Sequence, residues 1–312
     1  MEKFCSLNLG VLTMIKKRGS LWATILTLLI LGTAPAASDE IMDRIDRTGM
    51  VRIGFRQDAI PFAYIDPESG RYIGFSVDMA ALLVENLSKH FGKKISIEPV
   101  AINTENRIPM IVNHEIDVEM GSTTYNQVRE KEVDFSLLFF ISETTFMVRS
   151  QSFIRTMNDI DGKTVGAAAG TTNLSALQAL VKVGKFKSVN IRIIKTISQG
   201  FIDLKKGEID ALCLDRTLLN VMRIKDSEPQ GLTILNFAIS YEPYAYMVPK
   251  NNSDFRNFLN DTIRWSLNTN KFYEIYERWM GENGEYPFKI PPGFKEYLNV
   301  IAVPMNSLWW KE

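Results

Sequence analysis

Apolar and polar residues alternate along the chain in two successive blocks of strand and helix. In the first block, an apolar run at 50–55 precedes residues 75–91, where apolar side chains recur at helical spacing. Runs at 95–100 and 117–120 predict two more strands, with a helix from 107 to 113 between them. This order of elements is typical of an α/β layer with a mainly parallel sheet.

The same order of elements begins again in the second half of the chain. Apolar runs predict strands at 164–169, 189–195 and 211–214. Helices are predicted from the Gly170-Thr171-Thr172 turn to about residue 183, and then at 199–206 and 218–224. Each block spans about 100 residues, which is within the usual size range of a domain.

Two extended stretches, 139–147 and 239–248, connect the blocks. Both are rich in aromatic and β-branched residues, unlike a flexible linker, and long helices follow the second at 254–280. A block inserted between two parts of the other needs two such crossings. We therefore predict two lobes with a cleft between them: lobe 1 from 37–139 and 245–312, lobe 2 from 144–240, and hinges at 139–143 and 240–244.

Residues 1–36 have the features of a cleaved secretory signal. The basic cluster Lys16-Lys17-Arg18 precedes an apolar run at 21–33, and Ala34-Pro35-Ala36 supplies the small residues of a cleavage site. We predict translation from Met1 or Met14, cleavage after Ala36 and a periplasmic mature chain. The run is short for a membrane span, so an uncleaved anchor is the weaker alternative.

Composition excludes several classes of function. The chain has 36 basic and 36 acidic residues, so no polybasic surface indicates a nucleic-acid partner. His90 and His114 are the only histidines and Cys213 has no CxxC partner, so we expect no metal site and no cofactor. Cys213 stands in the apolar run ALCLD and is predicted to be a small buried side chain.

Polar side chains cluster where the predicted strands end, which is where open α/β sheets bind their ligands. Guanidinium groups match carboxylates, hydroxyls beside helix N-termini suit an anionic oxygen, and an isolated carboxylate suits an ammonium group. Together they indicate an acidic amino acid as the ligand. The residues are Arg56, Ser122, Thr123, Thr124, Thr171, Thr172 and Asp215, with Arg107 and Arg129 in the segments that follow.

Each of these residues also has a simpler interpretation. A single arginine such as Arg107 or Arg129 is commonly a surface ion-pair partner. Asp215 and the three consecutive hydroxyls at 122–124 are also suited to capping helices.

Seven motifs, in order and spacing, resemble the periplasmic solute-binding proteins for polar amino acids that serve ABC importers, especially the glutamate/aspartate-binding branch. The similarity extends from about residue 50 to 292. It implies a type II periplasmic-binding-protein fold, capture of a small amino acid by hinge closure, delivery to membrane permease subunits, and a monomer. The motifs are RIGFRQDAIPFAY, GFSVDMA, NRIP, GSTTYNQVREKEVDFS, DIDGKTVGAAAGTT, ALCLDRTLL and YEIYERWM.

The resemblance also implies a role for each matching residue. Arg129, with Thr124 and the Thr171-Thr172 turn, is expected to hold the α-carboxylate, and Asp215 with Ser122 the α-ammonium. Arg56 and Arg107, with Thr104, are expected to face the side-chain carboxylate. The family pattern therefore implies ligand contacts at Arg56, Thr104, Arg107, Ser122, Thr124, Arg129, Thr171, Thr172 and Asp215.

One position departs from the acidic branch, which has a histidine near the side-chain carboxylate. Here the stretch TISQGFID has Ile197, Ser198 and Gln199 instead. Gln199 can donate a hydrogen bond to the ligand but brings no charge. A neutral polar amino acid such as glutamine therefore remains an alternative ligand.

Two other classes of function share this fold. Some relatives are cyclohexadienyl dehydratases, which need a general acid in the cleft, and Glu143 and Glu242 are the carboxylates to consider. We expect them to be structural and the protein not to be an enzyme, so no catalytic residue is assigned. A ligand-sensing module is the third class.

Overall fold

The computed structural model describes residues 40–302, so the predicted signal segment lies outside the described part, as do residues 303–312. The helices are α1 (Glu40–Thr48), α2 (Phe75–Phe91), α3 (Arg107–Val112), α4 (Thr172–Lys182), α5 (Ile197–Lys206), α6 (Arg216–Lys225), α7 (Ser253–Asn268), α8 (Lys271–Met280) and α9 (Pro292–Ile301). The strands are β1 (Met50–Arg56), β2 (Asp58–Ala59), β3 (Ala63–Ile65), β4 (Tyr72–Ile73), β5 (Ser96–Ile102), β6 (Val118–Glu119), β7 (Val133–Phe135), β8 (Phe140–Arg149), β9 (Thr164–Ala168), β10 (Asn190–Ile194), β11 (Ala211–Asp215), β12 (Leu232–Ile234), β13 (Ser240–Tyr244) and β14 (Met247–Pro249).

The first block forms a five-stranded sheet in the order β5-β1-β6-β14-β7. Strand β1 pairs in parallel with β5 along its whole length and with β6 at its centre. Helix α2 follows the predicted bounds because Phe75, Met79, Leu83 and Leu87 recur every fourth residue and bury one face. Gly92, at a φ of 62°, ends the helix in the left-handed conformation that glycine adopts readily.

The second block forms another sheet in the order β10-β9-β11-β8-β12, with β13 paired to β8. Strands β9, β10 and β11 are parallel, whereas β8 runs antiparallel to β11. Helix α5 begins at Ile197, two residues before the predicted start, because the Thr196 hydroxyl caps it by accepting a hydrogen bond from the Gln199 N–H. Cys213 lies fully buried in β11, as predicted.

The two extended stretches between the blocks pair with each other. Strands β8 and β13 are antiparallel from Tyr244 opposite Phe140 to Ser240 opposite Thr144. The second stretch differs from the prediction because it divides at Ala245, whose N–H bonds the Thr123 carbonyl at 3.0 Å. Beyond that point β14 joins the first sheet, so this stretch belongs to both sheets.

Within residues 40–302, no helix has the length and apolar character needed to cross a bilayer. Within the same residues, no group of three or more metal-binding side chains comes together.

Candidate functional site

The ends of β1, β9 and β11 and the segment after β6 surround one small cavity. Its volume is about 20 Å³, which is space for about one water molecule. The lining residues are Arg56, Arg107, Ser122, Thr124, Thr171, Thr172, Asn173, Leu214, Asp215 and Leu218. Seven of them were singled out from the sequence, and they come from both sheets.

Arg107 is the most deeply buried of the three predicted arginines, with 3% of its surface exposed. Its Nη1 donates to Thr123 Oγ1 at 2.6 Å and its Nη2 to the Gly170 carbonyl at 3.4 Å. The Nε atom has no partner among the described residues. Burial, and then the positive charge of Arg129, lower the pKa of Arg107 to about 9. This guanidinium is therefore a buried cation with unused donor capacity.

Arg129 reaches the same turn from another direction. Its Nη1 donates to the Thr124 carbonyl at 2.7 Å and its Nη2 to the Gly170 carbonyl at 3.1 Å. Burial lowers its pKa as well. Both arginines thus bond one carbonyl of the second sheet's β9–α4 turn.

Gly170 makes this convergence possible. Its φ is +69°, and an added Cβ would lie 2.4 Å from the Thr104 carbonyl oxygen. Only a residue without a side chain satisfies both conditions. Thr104, also predicted for the site, is buried where the first sheet meets this turn.

Arg56, at the end of β1, is already paired within the chain. Its Nε and Nη2 lie 3.0 and 2.5 Å from the Asp58 Oδ1 atom. A ligand carboxylate at Arg56 would therefore share this guanidinium with Asp58.

Asp215 ends β11 and points into the cavity. Its Oδ1 accepts from Asn173 Nδ2 at 2.7 Å and its Oδ2 from the Tyr244 hydroxyl at 2.5 Å. Its side chain makes no capping bond to α6, so the helix-cap interpretation is wrong. Burial, and then the negative charge of Glu242, raise the pKa of Asp215 to about 7.

Glu242, on β13, is fully buried and accepts four hydroxyl hydrogen bonds. Thr124 and Thr172 donate to Oε2 at 2.7 and 2.5 Å. Thr144 and Ser240 donate to Oε1 at 2.6 and 2.5 Å. The carboxylate thereby links a hydroxyl of the first sheet to hydroxyls of the second.

Glu119, on β6, is a second fully buried glutamate. Neither carboxylate oxygen has a hydrogen-bond partner among the described residues. Burial raises its pKa, an effect that the charge of Arg107 partly offsets.

The remaining predicted residues differ in their availability. Thr171 lines the cavity, but its hydroxyl donates to the Ala168 carbonyl and accepts from the Leu174 N–H, so it caps α4. Ser122 lines the cavity and is buried. Gln199 is exposed on α5 and donates to Asp203 at 2.6 Å, so the structure does not bring it to the cavity.

Sequence reasoning missed Asn173 and Tyr244, and it expected Glu242 to be structural without assigning it to the site. A signal for the last two was present, because residues 240, 242 and 244 alternate along an extended stretch and share one face. In the structure Glu242 and Tyr244 are buried, whereas Tyr241, on the opposite face of the strand, is 71% exposed. Glu119 was detectable as a charge inside an apolar strand.

Residues 51–282 match the model of the bacterial extracellular solute-binding proteins, family 3. The chain belongs to this family. This family 3 protein is 30% identical over 299 residues to the L-glutamate/L-aspartate-binding protein of Pseudomonas aeruginosa, which covers 92% of this chain and 97% of that one. It is 29% identical over 231 residues to the glutamine-binding protein of Geobacillus stearothermophilus, and the matched residues make up 74% of this chain and 84% of that protein.

The structure is also similar to an ancestral arginine-binding protein bound to arginine, with a TM-score of 0.67 and 27% identity over 75% of this chain and 99% of that one. The predicted α/β type II fold and the family resemblance are therefore confirmed. These relatives are named for ligands of different charge. The class of ligand must therefore be inferred from the charges of this chain's own site.

Proposed function

We propose that this family 3 protein captures an acidic amino acid, glutamate or aspartate, and delivers it to the permease subunits of an ABC importer. The charges at one cavity support this proposal. Arg56, Arg107 and the buried carboxylate of Asp215 line it, and Arg129 shares the Gly170 carbonyl with Arg107. A zwitterion with a second carboxylate complements that arrangement, because buried charges are tolerated only when they are paired.

Each end of the ligand has a proposed binding group. Arg129 binds the α-carboxylate, and Asp215 with Ser122 binds the amino group. Arg107, whose Nε has no partner in the described chain, binds the side-chain carboxylate. Arg56 contributes by sharing its guanidinium between that carboxylate and Asp58.

Binding requires the two sheets to separate and close again. The cavity of about 20 Å³ is far smaller than an amino acid, so the arrangement described here is a closed one. We place the hinge at 139–143 and 240–244, where β8 and β13 pair side by side. We infer that, among the described residues, 40–139 with 245–302 form one moving body and 144–240 form the other.

The cellular setting is part of the proposal. We infer that residues 1–36 are a cleaved signal, that the mature protein is periplasmic and monomeric, and that the membrane permease is its protein partner. A sensing role would use the same closure with a different membrane partner.

A neutral polar amino acid such as glutamine is the second candidate ligand. The Arg56–Asp58 pair favours it, because Asp58 already neutralises one of the three arginines. Gln199 does not favour either ligand, since its side chain bonds Asp203 away from the cavity.

The dehydratase alternative finds little support in the two carboxylates. Hydroxyls occupy both oxygens of Glu242, and Glu143 pairs with Arg216 at 2.9 Å. Neither offers a proton to the cavity, so we propose binding without catalysis. Incubation with prephenate and arogenate tests this, and turnover of either would contradict it.

Isothermal titration of the purified protein with glutamate, aspartate and glutamine tests the ligand class. We expect glutamate or aspartate to bind more tightly than glutamine. Arg129→Ala should weaken binding at least about 30-fold, because truncating one member of a buried charge pair costs about 2–5 kcal/mol. Arg47→Ala, at an exposed position on α1, is the control. Near-native affinity in the Arg129 variant, or no binding of any of the three ligands, would contradict the proposal.

A further inference from the structure

The carboxylate of Glu242 determines which way four hydroxyl protons point. A carboxylate has about four acceptor positions, and a hydroxyl has one proton to donate. Thr124, Thr172, Thr144 and Ser240 lie 2.5–2.7 Å from its two oxygens, two hydroxyls on each. Every one of these hydroxyls must therefore donate to Glu242.

Two of the four hydroxyls also line the cavity. Thr124 comes from the first sheet's β6 loop and Thr172 from the start of α4. Because their protons are committed to Glu242, they present only lone pairs to the cavity. They can accept a hydrogen bond from a ligand N–H, but they cannot donate one to a ligand carboxylate.

The surrounding polar groups also favour a ligand N–H at these two hydroxyls. Asp215 lines the same cavity, and Asn173 bonds both Asp215 and Thr144, one of the Glu242 donors, at 2.7 Å. Arg129 contacts Thr124 only through the backbone carbonyl, which leaves the hydroxyl free to bond Glu242. The cavity thus combines the acceptors Thr124, Thr172 and Asp215 with the guanidinium groups of Arg56 and Arg107.

We propose that Glu242 is a positioning residue that makes Thr124 and Thr172 hydrogen-bond acceptors and so places the ligand's amino group between these hydroxyls and Asp215. This inference rests on the proposed function, since it assumes an amino-acid ligand. It replaces the role that the family resemblance gives Thr124 and Thr172, which was to hold the α-carboxylate.

Glu242→Gln tests the inference, because the amide NH₂ would donate to Thr124 and Thr172 and reverse their direction. The ligands are glutamate and glutarate, which differ by the amino group. We expect glutamate affinity to fall about tenfold or more and glutarate affinity to change less than about threefold, since only the first loses an acceptor pair. If glutamine proves to be the ligand, the pair is glutamine and its 2-deamino analogue.

A double-mutant cycle provides an independent readout with glutamate alone. If Glu242 acts through Thr172, the losses of glutamate affinity caused by Thr172→Val and Glu242→Gln are not additive. The double variant then binds glutamate no more weakly than whichever single variant binds it less tightly. Thr172→Ser keeps the hydroxyl and should retain the preference for glutamate over glutarate. Should Glu242→Gln fail to fold, Thr172→Val and Thr172→Ser still give this comparison.

Two controls lie on the same pair of strands. Glu143→Gln on β8 removes a carboxylate that bonds Arg216 rather than the cavity hydroxyls. Ser240→Ala removes a Glu242 donor that does not line the cavity. Both should leave the glutamate-to-glutarate ratio unchanged.

Equal losses for glutamate and glutarate in Glu242→Gln, or additive effects in the cycle, would overturn the inference and leave Glu242 a structural residue. Failure of the unmodified protein to bind any amino acid would instead refute the proposed function. The two failures are therefore distinguishable.

Discussion

Glu119 and Glu242 are both fully buried carboxylates near the same cavity, yet they are stabilised in opposite ways. Glu242 accepts four hydroxyl hydrogen bonds, and no described cation forms an ion pair with it. Glu119 has no comparable set of hydroxyl donors, and the charges of Arg107, Arg56 and Arg129 favour its ionised form, with Arg107 contributing most. The first is held by local hydrogen bonds, whereas the second is held mainly by electrostatic attraction to nearby arginines.

This difference separates two parts of the site. In the closed arrangement the hydroxyl network around Glu242 is completed by residues of the chain alone, so it needs no ligand group to satisfy it. The Glu119–Arg107 pair is incompletely hydrogen-bonded, so a ligand carboxylate at Arg107 would change its balance of charge. Four substitutions test the contrast.

Arg107→Met should have the largest effect on stability. It leaves Glu119 buried without its main counter-charge, which we expect to lower the free energy of unfolding by about 3–5 kcal/mol. Adding Glu119→Gln removes the stranded charge and should restore part of that loss. Urea unfolding measures both variants. If Arg107→Met alone is as stable as the unmodified protein, Glu119 does not depend on Arg107.

Asp215→Asn should alter the pH dependence of stability. The pKa of Asp215 rises from 3.8 to about 7 on folding, so between these values the folded chain binds more protons than the unfolded chain. Its contribution to stability is full below about pH 4 and is lost as the pH rises towards 7, with a slope of at most about 1.4 kcal/mol per pH unit.

Urea unfolding from pH 4 to pH 8 measures this slope. Asp215→Asn should lose the part of the slope that comes from Asp215, whereas Asp43→Asn on the exposed face of α1 should keep the full slope. Identical slopes in the two variants would rule out a raised pKa at Asp215.

Tyr244→Phe removes one of the two hydrogen bonds to Asp215. We expect a loss of about 1.5–3 kcal/mol in the free energy of unfolding, because the bond goes to a buried carboxylate. Tyr246→Phe is a matched control, since its equally buried hydroxyl makes a long 3.4 Å bond to Ser76. Equal losses in thermal or urea unfolding would mean that the Asp215 contact contributes nothing special.

Ser240→Ala should have the smallest effect, about 0.5–1 kcal/mol, because Ser240 is only half-buried and water can replace its hydroxyl at Glu242. Thr144→Val, at a fully buried position on the same carboxylate oxygen, should cost more. A larger loss for Ser240→Ala than for Thr144→Val would contradict the role of burial in this network.

The helices and parallel strands were predictable because their signals are local. Helix α2 has the predicted bounds since its apolar residues repeat every fourth position and a glycine ends it. The division of the second crossing into β13 and β14 was not predictable, because it depends on a bond between Ala245 and the distant Thr123. Local periodicity has no information about such a partner.

The site shows the same limit. Strand ends pointed to Arg56, Thr124 and Asp215, which line the cavity, because the fold class alone places those ends together. Gln199 was predicted from a single missing histidine, and its helix instead directs it to Asp203. The partners of Glu242 come from four separate segments, and only the tertiary structure brings them together.

The turn at Gly170 has a consequence for trapping the molecule in one state. A methyl group there would lie 2.4 Å from the Thr104 carbonyl oxygen, on the opposite sheet. Gly170→Ala would therefore keep the two sheets apart, so that the folded protein does not close even at saturating ligand. Such a protein would offer a route to crystallising the open form.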